Sequence, residues 1–180
     1  MRKIAIIAAV AKNRAIGNKN ELIYWLPDDL KRFKQLTTNN IIIMGSNTFR
    51  SLPKGALPNR RNIVLSRKGS AFPGAETYTS LGQALKNCKG EKPIYIIGGE
   101  QLYKSAMHIA NELHLTEINN SPETADAFFP KWGRKKWKRT NKEEHNKDEK
   151  HPFDFSFTTY TKRSKNNSFK KYNHKKNTSL

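Results

Sequence analysis

Four short apolar segments rich in β-branched residues constrain this fold more than any other feature. They lie within Lys3–Val10, Ile41–Met44, Arg61–Ser66 and Pro93–Ile97. The first two show no polar alternation, so both faces of each strand are expected to be buried. Strands of that kind belong in a parallel sheet, and parallel neighbours need crossovers that cover its faces. The sequence supplies them. Helical spacing follows Pro27, Gly45, Ser80 and Gly99, and each of the last three sets of helical residues is entered from a glycine or a capping serine. Further strands are expected at Ala75–Tyr78 and Glu112–Ile118, then from Trp137 to about Lys142. Phe153, Phe155 and Phe157 alternate as in a strand with one buried face. The fold class is α/β: one domain with a mainly parallel central sheet of about eight strands, flanking helices and a C-terminal antiparallel hairpin.

Length permits a single domain of residues 1–163. Residues 164–180 differ in kind. They carry five lysines, four asparagines and no acid, and read as a basic, disordered tail. The whole chain has a net charge of +19. A field of that sign favours anionic partners such as nucleotides, polyglutamates or nucleic acid. Lys131–Lys142 holds seven basic residues and no acid, and reads as a solvated edge rather than a nucleic-acid groove. Cys88 is the one cysteine, a small core residue compatible with a reducing compartment. Five histidines show no ligand spacing, so no metal site is expected. Met1-Arg2-Lys3 and the apolar run after it imitate a signal peptide, but the run is short and Lys12 closes it; a buried strand explains it as well. No segment has the length to span a bilayer.

The stretch Asn20–Lys34 carries the most chemistry. Pro27 suits the first helical position, and Asp28 and Asp29 meet the positive end of the helix dipole. Leu26, Leu30, Phe33 and Thr37 recur at helical spacing, and Asp29 and Phe33, four apart, share a face. A carboxylate beside a phenyl ring suits a flat, nitrogen-rich ring. The bland alternative is a helix with two dipole-complementing surface acids and a core Phe33. Lys12–Asn20 reads as a polar loop that could act as a lid. Gly45-Ser46-Asn47-Thr48 is an anion site or an ordinary helix start. Ser66-Arg67-Lys68 is a phosphate pocket or a solvated turn.

Leu-Pro-Asp-Asp-Leu-x-x-Phe-Lys, with Ile7-Ala8-Ala9 before it and Met44-Gly45-x-x-Thr48-Phe49 after it, resembles dihydrofolate reductase. The resemblance covers about residues 3–163. It implies hydride transfer from NADPH to C6 of 7,8-dihydrofolate with a proton added at N5, giving tetrahydrofolate. It also implies a cytoplasmic monomer. Catalytic roles fall on Asp29, Thr116 and Tyr24. Asp29 would hold the pterin, and Thr116 would hydrogen-bond that carboxylate. Burial should raise the Asp29 pKa and hydrogen-bond donors should lower it, and the balance is open at this stage. Tyr24 stands where the family has a tryptophan whose N–H orders a water. Dihydrofolate, polyglutamylated or not, would contact Ile7, Ala8, Leu22, Phe33, Lys34, Leu52 and Leu57, with Arg60 on its glutamate α-carboxylate. NADPH would contact Ala9, Ile16, Gly17, Gly45, Ser46, Asn47 and Thr48. It would also contact Leu65, Ser66, Arg67 and Lys68, where the 2′-phosphate sits, and Ile97, Gly98, Gly99, Glu100, Gln101, Leu102 and Tyr103. The Gly98-Gly99 pair matches a family peptide that is cis. Ser46-Asn47 departs from the family, in which Arg and another basic or polar residue are common there. Rival readings are the related pyrimidine reductase of riboflavin synthesis, a basic nucleic-acid-binding protein, and a folate-binding paralogue with poor turnover.

Overall fold

Ile4–Ala11 forms β1, the strand on which the sheet is centred. Its side chains divide by parity. Ile6, Ala8 and Val10 join one buried cluster, and Ala5 and Ile7 join another. A strand that contributes to two cores must be covered on both faces. The structure, a computed structural model, describes residues 1–164; residues 165–180, the bulk of the expected tail, lie outside the described residues.

The chain continues through β2 (Ala15–Asn18) and β3 (Glu21–Leu22) to helix α1 (Pro27–Thr37). Strand β4 (Ile41–Gly45) leads into α2 (Ser46–Ser51), followed by β5 (Arg61–Leu65) and β6 (Glu76–Tyr78). Helix α3 (Leu81–Asn87) is capped by Ser80, whose hydroxyl accepts the Gln83 N–H at 3.2 Å. Strand β7 (Ile94–Ile96) and helix α4 (Glu100–Ala106) come next, then β8 (Glu112–Ile118) and β9 (Ala127–Phe128). The long hairpin of β10 (Trp137–His145) and β11 (Phe155–Lys162) ends the fold.

The eight-stranded sheet has the order β10-β11-β8-β1-β7-β4-β5-β6. All pairings from β8 to β6 are parallel, and β11 pairs antiparallel with both β8 and β10. One face packs Ala84, Cys88, Leu102 and Ala106 of α3 and α4, and the other packs Phe33, Leu36 and Phe49 of α1 and α2. Cys88 is thus in the core, as expected.

Three expectations are corrected. Lys12–Asn20 is not a plain loop: β2 and β3 form a second sheet with β9, in the order β3-β2-β9. Strand β2 pairs with β3 a few residues on and with β9 more than a hundred residues away, and local sequence could not reveal the distant partner. Leu30 is 41 % exposed rather than part of the packed face, although it lies on the same helical stripe as Leu26, Phe33 and Thr37. Phe153 precedes β11 and packs edge-on against Tyr24, with ring centroids 5.7 Å apart.

Candidate active site

The C-terminal ends of β1, β4, β5 and β7 lie along one edge of the sheet, the edge at which open α/β sheets build their sites. Helix α1 rises beside them. Its N-cap, Leu26, offers no side-chain cap and is itself buried, packed with Ile118 and Phe155. Pro27 has no N–H to satisfy. The first free N–H belongs to Asp28, and it donates to Nε2 of His151 at 3.3 Å. The next residue, Asp29, turns inward.

Thr116 of β8, fully buried, donates its hydroxyl proton to Asp29 Oδ1 at 2.5 Å. Burial pushes the Asp29 carboxyl above its ordinary value; the Thr116 hydrogen bond and the nearby Arg32 charge oppose this without cancelling it. Burial therefore dominates. Arg32, itself lowered by burial, lies over the Phe157 ring at 4.6 Å. The result is a carboxylate with one oxygen held by a fixed donor, at the lip of an apolar surface.

That surface belongs to the second core cluster, where Ile7 packs with Phe33, Leu52 and Leu57. At its far end Arg60 sits 5.8 Å over the Phe33 ring. Arg60 Nε donates to Thr37 Oγ1 at 2.7 Å, and a second guanidinium nitrogen donates to Pro58 O at 2.5 Å. The guanidinium is thereby aimed before any ligand arrives. Carboxylate, apolar trough and arginine follow one another along α1.

On the other side of Ile7 lies a cleft of about 130 Å³ between Ala8-Ala9, Ile16-Gly17, Thr48 and Gly98-Gly99. Bare backbone forms much of its wall. The Gly45 N–H donates to Gly98 O at 2.8 Å, and Gly98–Gly99 is a cis peptide. Gly98 has φ +121°, and a Cβ there would come within 3.1 Å of the Tyr103 hydroxyl. A Cβ on Gly99 would stand 3.5 Å from Thr48 Oγ1, filling the space between β7 and α2. A phosphorylated, flat ligand can approach backbone this closely only where side chains are absent. Tyr103, whose phenol burial holds protonated far beyond the ordinary range, donates to Ile7 O at 2.7 Å and fixes α4 against β1. At the end of β5, Ser66 is buried, and Arg67 and Lys68 are exposed and free of ion pairs among the described residues.

The small second sheet closes the mouth. Asp126 Oδ2 accepts the Lys19 N–H at 2.9 Å, and the Asp126 N–H donates to Gly17 O at 3.1 Å. Asn20 Nδ2 reaches across to Asn47 O at 3.2 Å. Leu22, half exposed, completes the lid over the cleft.

Several sequence-derived site residues are placed differently from the rest. The Tyr24 hydroxyl donates to Asn120 Oδ1 at 2.6 Å. A phenol has one proton to give, so toward any other partner Tyr24 is an acceptor. Lys34 and Gln101 are exposed, and the Leu102 side chain lies in the core, leaving its backbone as the part near the cleft. Glu100 binds Lys104 and accepts the Phe128 N–H at 3.1 Å, so it ties α4 to the lid sheet. Leu65 packs into the core beside Ser66, while Ser46 is half-buried at the start of α2. Sequence reasoning missed Asp126, Asn120 and His151. None carries a motif or a periodic neighbour that marks it. Among the described residues no group of three or more His, Cys, Asp or Glu could hold a metal ion, and no helix is long and apolar enough to cross a membrane.

Comparison with known proteins agrees with this geometry. The family model described as "Dihydrofolate reductase" matches residues 3–162. The dihydrofolate reductase of Bacillus subtilis (strain 168) is 40 % identical over 161 residues, covering 89 % of this chain and 95 % of that one. The Neisseria gonorrhoeae dihydrofolate reductase is 44 % identical over 145 residues, covering 80 % and 89 %. The solved structure of dihydrofolate reductase from Enterococcus faecalis, complexed with NADP(H) and RAB-propyl, superposes with a TM-score of 0.83 at 28 % identity, covering 90 % of this chain and 97 % of that one. A match along nearly the whole folded chain, with the Asp29–Thr116 pair and the Gly98–Gly99 peptide in place, establishes that this chain belongs to the dihydrofolate reductase family.

Proposed function

We infer that the protein reduces 7,8-dihydrofolate to 5,6,7,8-tetrahydrofolate with NADPH, in support of one-carbon metabolism. The observation that carries the reading is the half-buried Asp29 carboxylate fixed by Thr116 between an apolar trough and a glycine-lined cleft. Asp29 takes the N–H donors of the pterin, and Phe33 and Ile7 pack against the plane of the substrate. Arg60 receives the glutamate α-carboxylate as a charge-assisted pair. A ring nitrogen that gains a proton becomes a better hydride acceptor. Asp29, whose pKa burial raises, favours protonation at N5 by way of water.

NADPH supplies the hydride when bound. Gly45, Gly98, Gly99 and Thr48 would hold its phosphates and nicotinamide, and Ser66, Arg67 and Lys68 its 2′-phosphate. The lid of β2 and β3 excludes water from the transfer. The buried, unpaired Cys88 is compatible with a reducing cytoplasm.

The test is consumption of NADPH by the purified protein. It should depend on added dihydrofolate and stop with methotrexate. Consumption that ignores dihydrofolate, or that follows a pyrimidine substrate instead, would contradict the reading.

A further inference from the structure

Folate reduction makes no use of the basic run 131–142, yet the fold turns it into a surface. Strand β10 is the outermost strand, exposed from Lys138 to Glu144. Across the hairpin Trp137 pairs with Lys162, Arg139 with Tyr160 and Lys142 with Thr158. The register shifts between Arg139 and Asn141, leaving Thr140 as an extra residue. A bulge resets the alternation of the strand beyond it. Trp137, Arg139 and Lys142 therefore share one side with Tyr160; without the bulge the third place would fall to Asn141.

A groove of about 540 Å³ opens on that side. Its charged lining on that side is Arg134, Arg139 and Arg163, bordered by Lys138 at the intervening strand position, with no carboxylate, and Trp132 and Tyr160 stand among them. Among the described residues none of these four cations forms an ion pair. Arg163 is held at the rim: its N–H donates to Lys136 O at 2.8 Å and its Nε to Arg134 O at 2.9 Å. The groove runs on into a neighbouring cavity of similar volume, where Lys12 and Lys142 meet Glu117, Glu144 and Asp154. There Glu144 is paired with Lys142, and Glu117 accepts the Tyr160 hydroxyl. Immediately after Arg163 and Ser164, residues 165–180 add five lysines and no acid.

We propose that this groove binds single-stranded nucleic acid. Its phosphates lie on Arg134, Arg139 and Arg163, and its bases pack against Trp132 and Tyr160. Cations interleaved with aromatic rings serve a strand whose bases are open, whereas a duplex hides them.

The test is fluorescence anisotropy of a labelled oligothymidylate of about 16 nucleotides with the full chain, titrated over a range of salt. Three phosphate contacts predict a slope of log Kd on log salt of about 2. The double variant R134E/R139E should weaken binding on the order of tenfold at low salt and flatten the slope, with dihydrofolate turnover unchanged as the check on folding. The control K86E/K89E makes the same change in net charge beside β6, at the opposite edge of the sheet. It should weaken binding less than about twofold, as expected of a distant screened charge. Equal weakening by the two variants would show that net charge alone is felt and would overturn the proposal. So would no binding by the unsubstituted protein, or equal affinity for a duplex of the same length.

Discussion

His151 Nε2 accepts the Asp28 N–H from 123 residues away, and so caps the helix that carries Asp29. The ring is buried, with Nδ1 2.8 Å from Asp148 Oδ1 and its face tilted on Phe155 at 5.1 Å. An acceptor at Nε2 requires the proton on Nδ1, which the Asp148 carboxylate enforces. The side-chain amide oxygen of glutamine can occupy the Nε2 position, while that of asparagine reaches only the Nδ1 position. His151→Asn should therefore slow hydride transfer roughly 3- to 10-fold, the rate equivalent of a lost helix cap. His151→Gln should restore most of it. Stopped-flow transfer rates for the two variants decide the matter, and equal rates would separate His151 from the site.

Burial of Asp29 has a stability consequence. Its folded pKa is raised, so the folded state holds this proton more tightly than the unfolded state does. The stability it contributes is present below the unfolded carboxyl pKa of about 4 and is lost as pH rises through the folded pKa. Asp29→Asn removes the charge and keeps an acceptor for Thr116. The urea midpoint of the variant should exceed that of the wild type at pH 7, and the gap should close on acidification toward about pH 4.

Arg67 should set the choice of nicotinamide cofactor. Its guanidinium is exposed at the end of β5 and has no ion-pair partner among the described residues. Arg67→Ala should weaken NADPH roughly 10- to 100-fold, the equivalent of one charged hydrogen bond, and leave NADH nearly unchanged. Titration of cofactor fluorescence measures both, and equal losses would remove the 2′-phosphate from this place.

Asp126 holds the lid by two hydrogen bonds to Gly17 and Lys19. Asp126→Ala removes the side-chain one, the acceptor of the Lys19 N–H. Hydride transfer should fall on the order of tenfold, because a charged acceptor is lost from the element that excludes water. Single-turnover rates that match the wild type would show that the lid closes without this anchor.

Local rules made some of this structure readable and hid the rest. The apolar runs at Ile4 and Ile41 announce two-sided burial, and β1 and β4 are buried on both faces. Pro27 marks the start of α1, and Ser80 caps α3 as its residue type suggests. The lid strands are two to four residues long, β3 pairing with β2 and β2 with Phe128 and Ala127, so no periodicity reveals them. Asp29 was legible as a first-turn carboxylate, but its contact with Thr116 spans 87 residues and was reached through family resemblance alone. The Tyr24 hydroxyl could not be assigned to Asn120 from sequence, since nothing near Asn120 marks it as an acceptor.

The most direct test of the account is the single-turnover rate of hydride transfer in Asp29→Asn beside Asp28→Asn. Asp28 is exposed, while Asp29 is turned inward onto Thr116. The account predicts a loss on the order of 100-fold or more for Asp29→Asn and a rate close to wild type for Asp28→Asn. A near-normal rate for Asp29→Asn, with Asp28→Asn impaired instead, would contradict it.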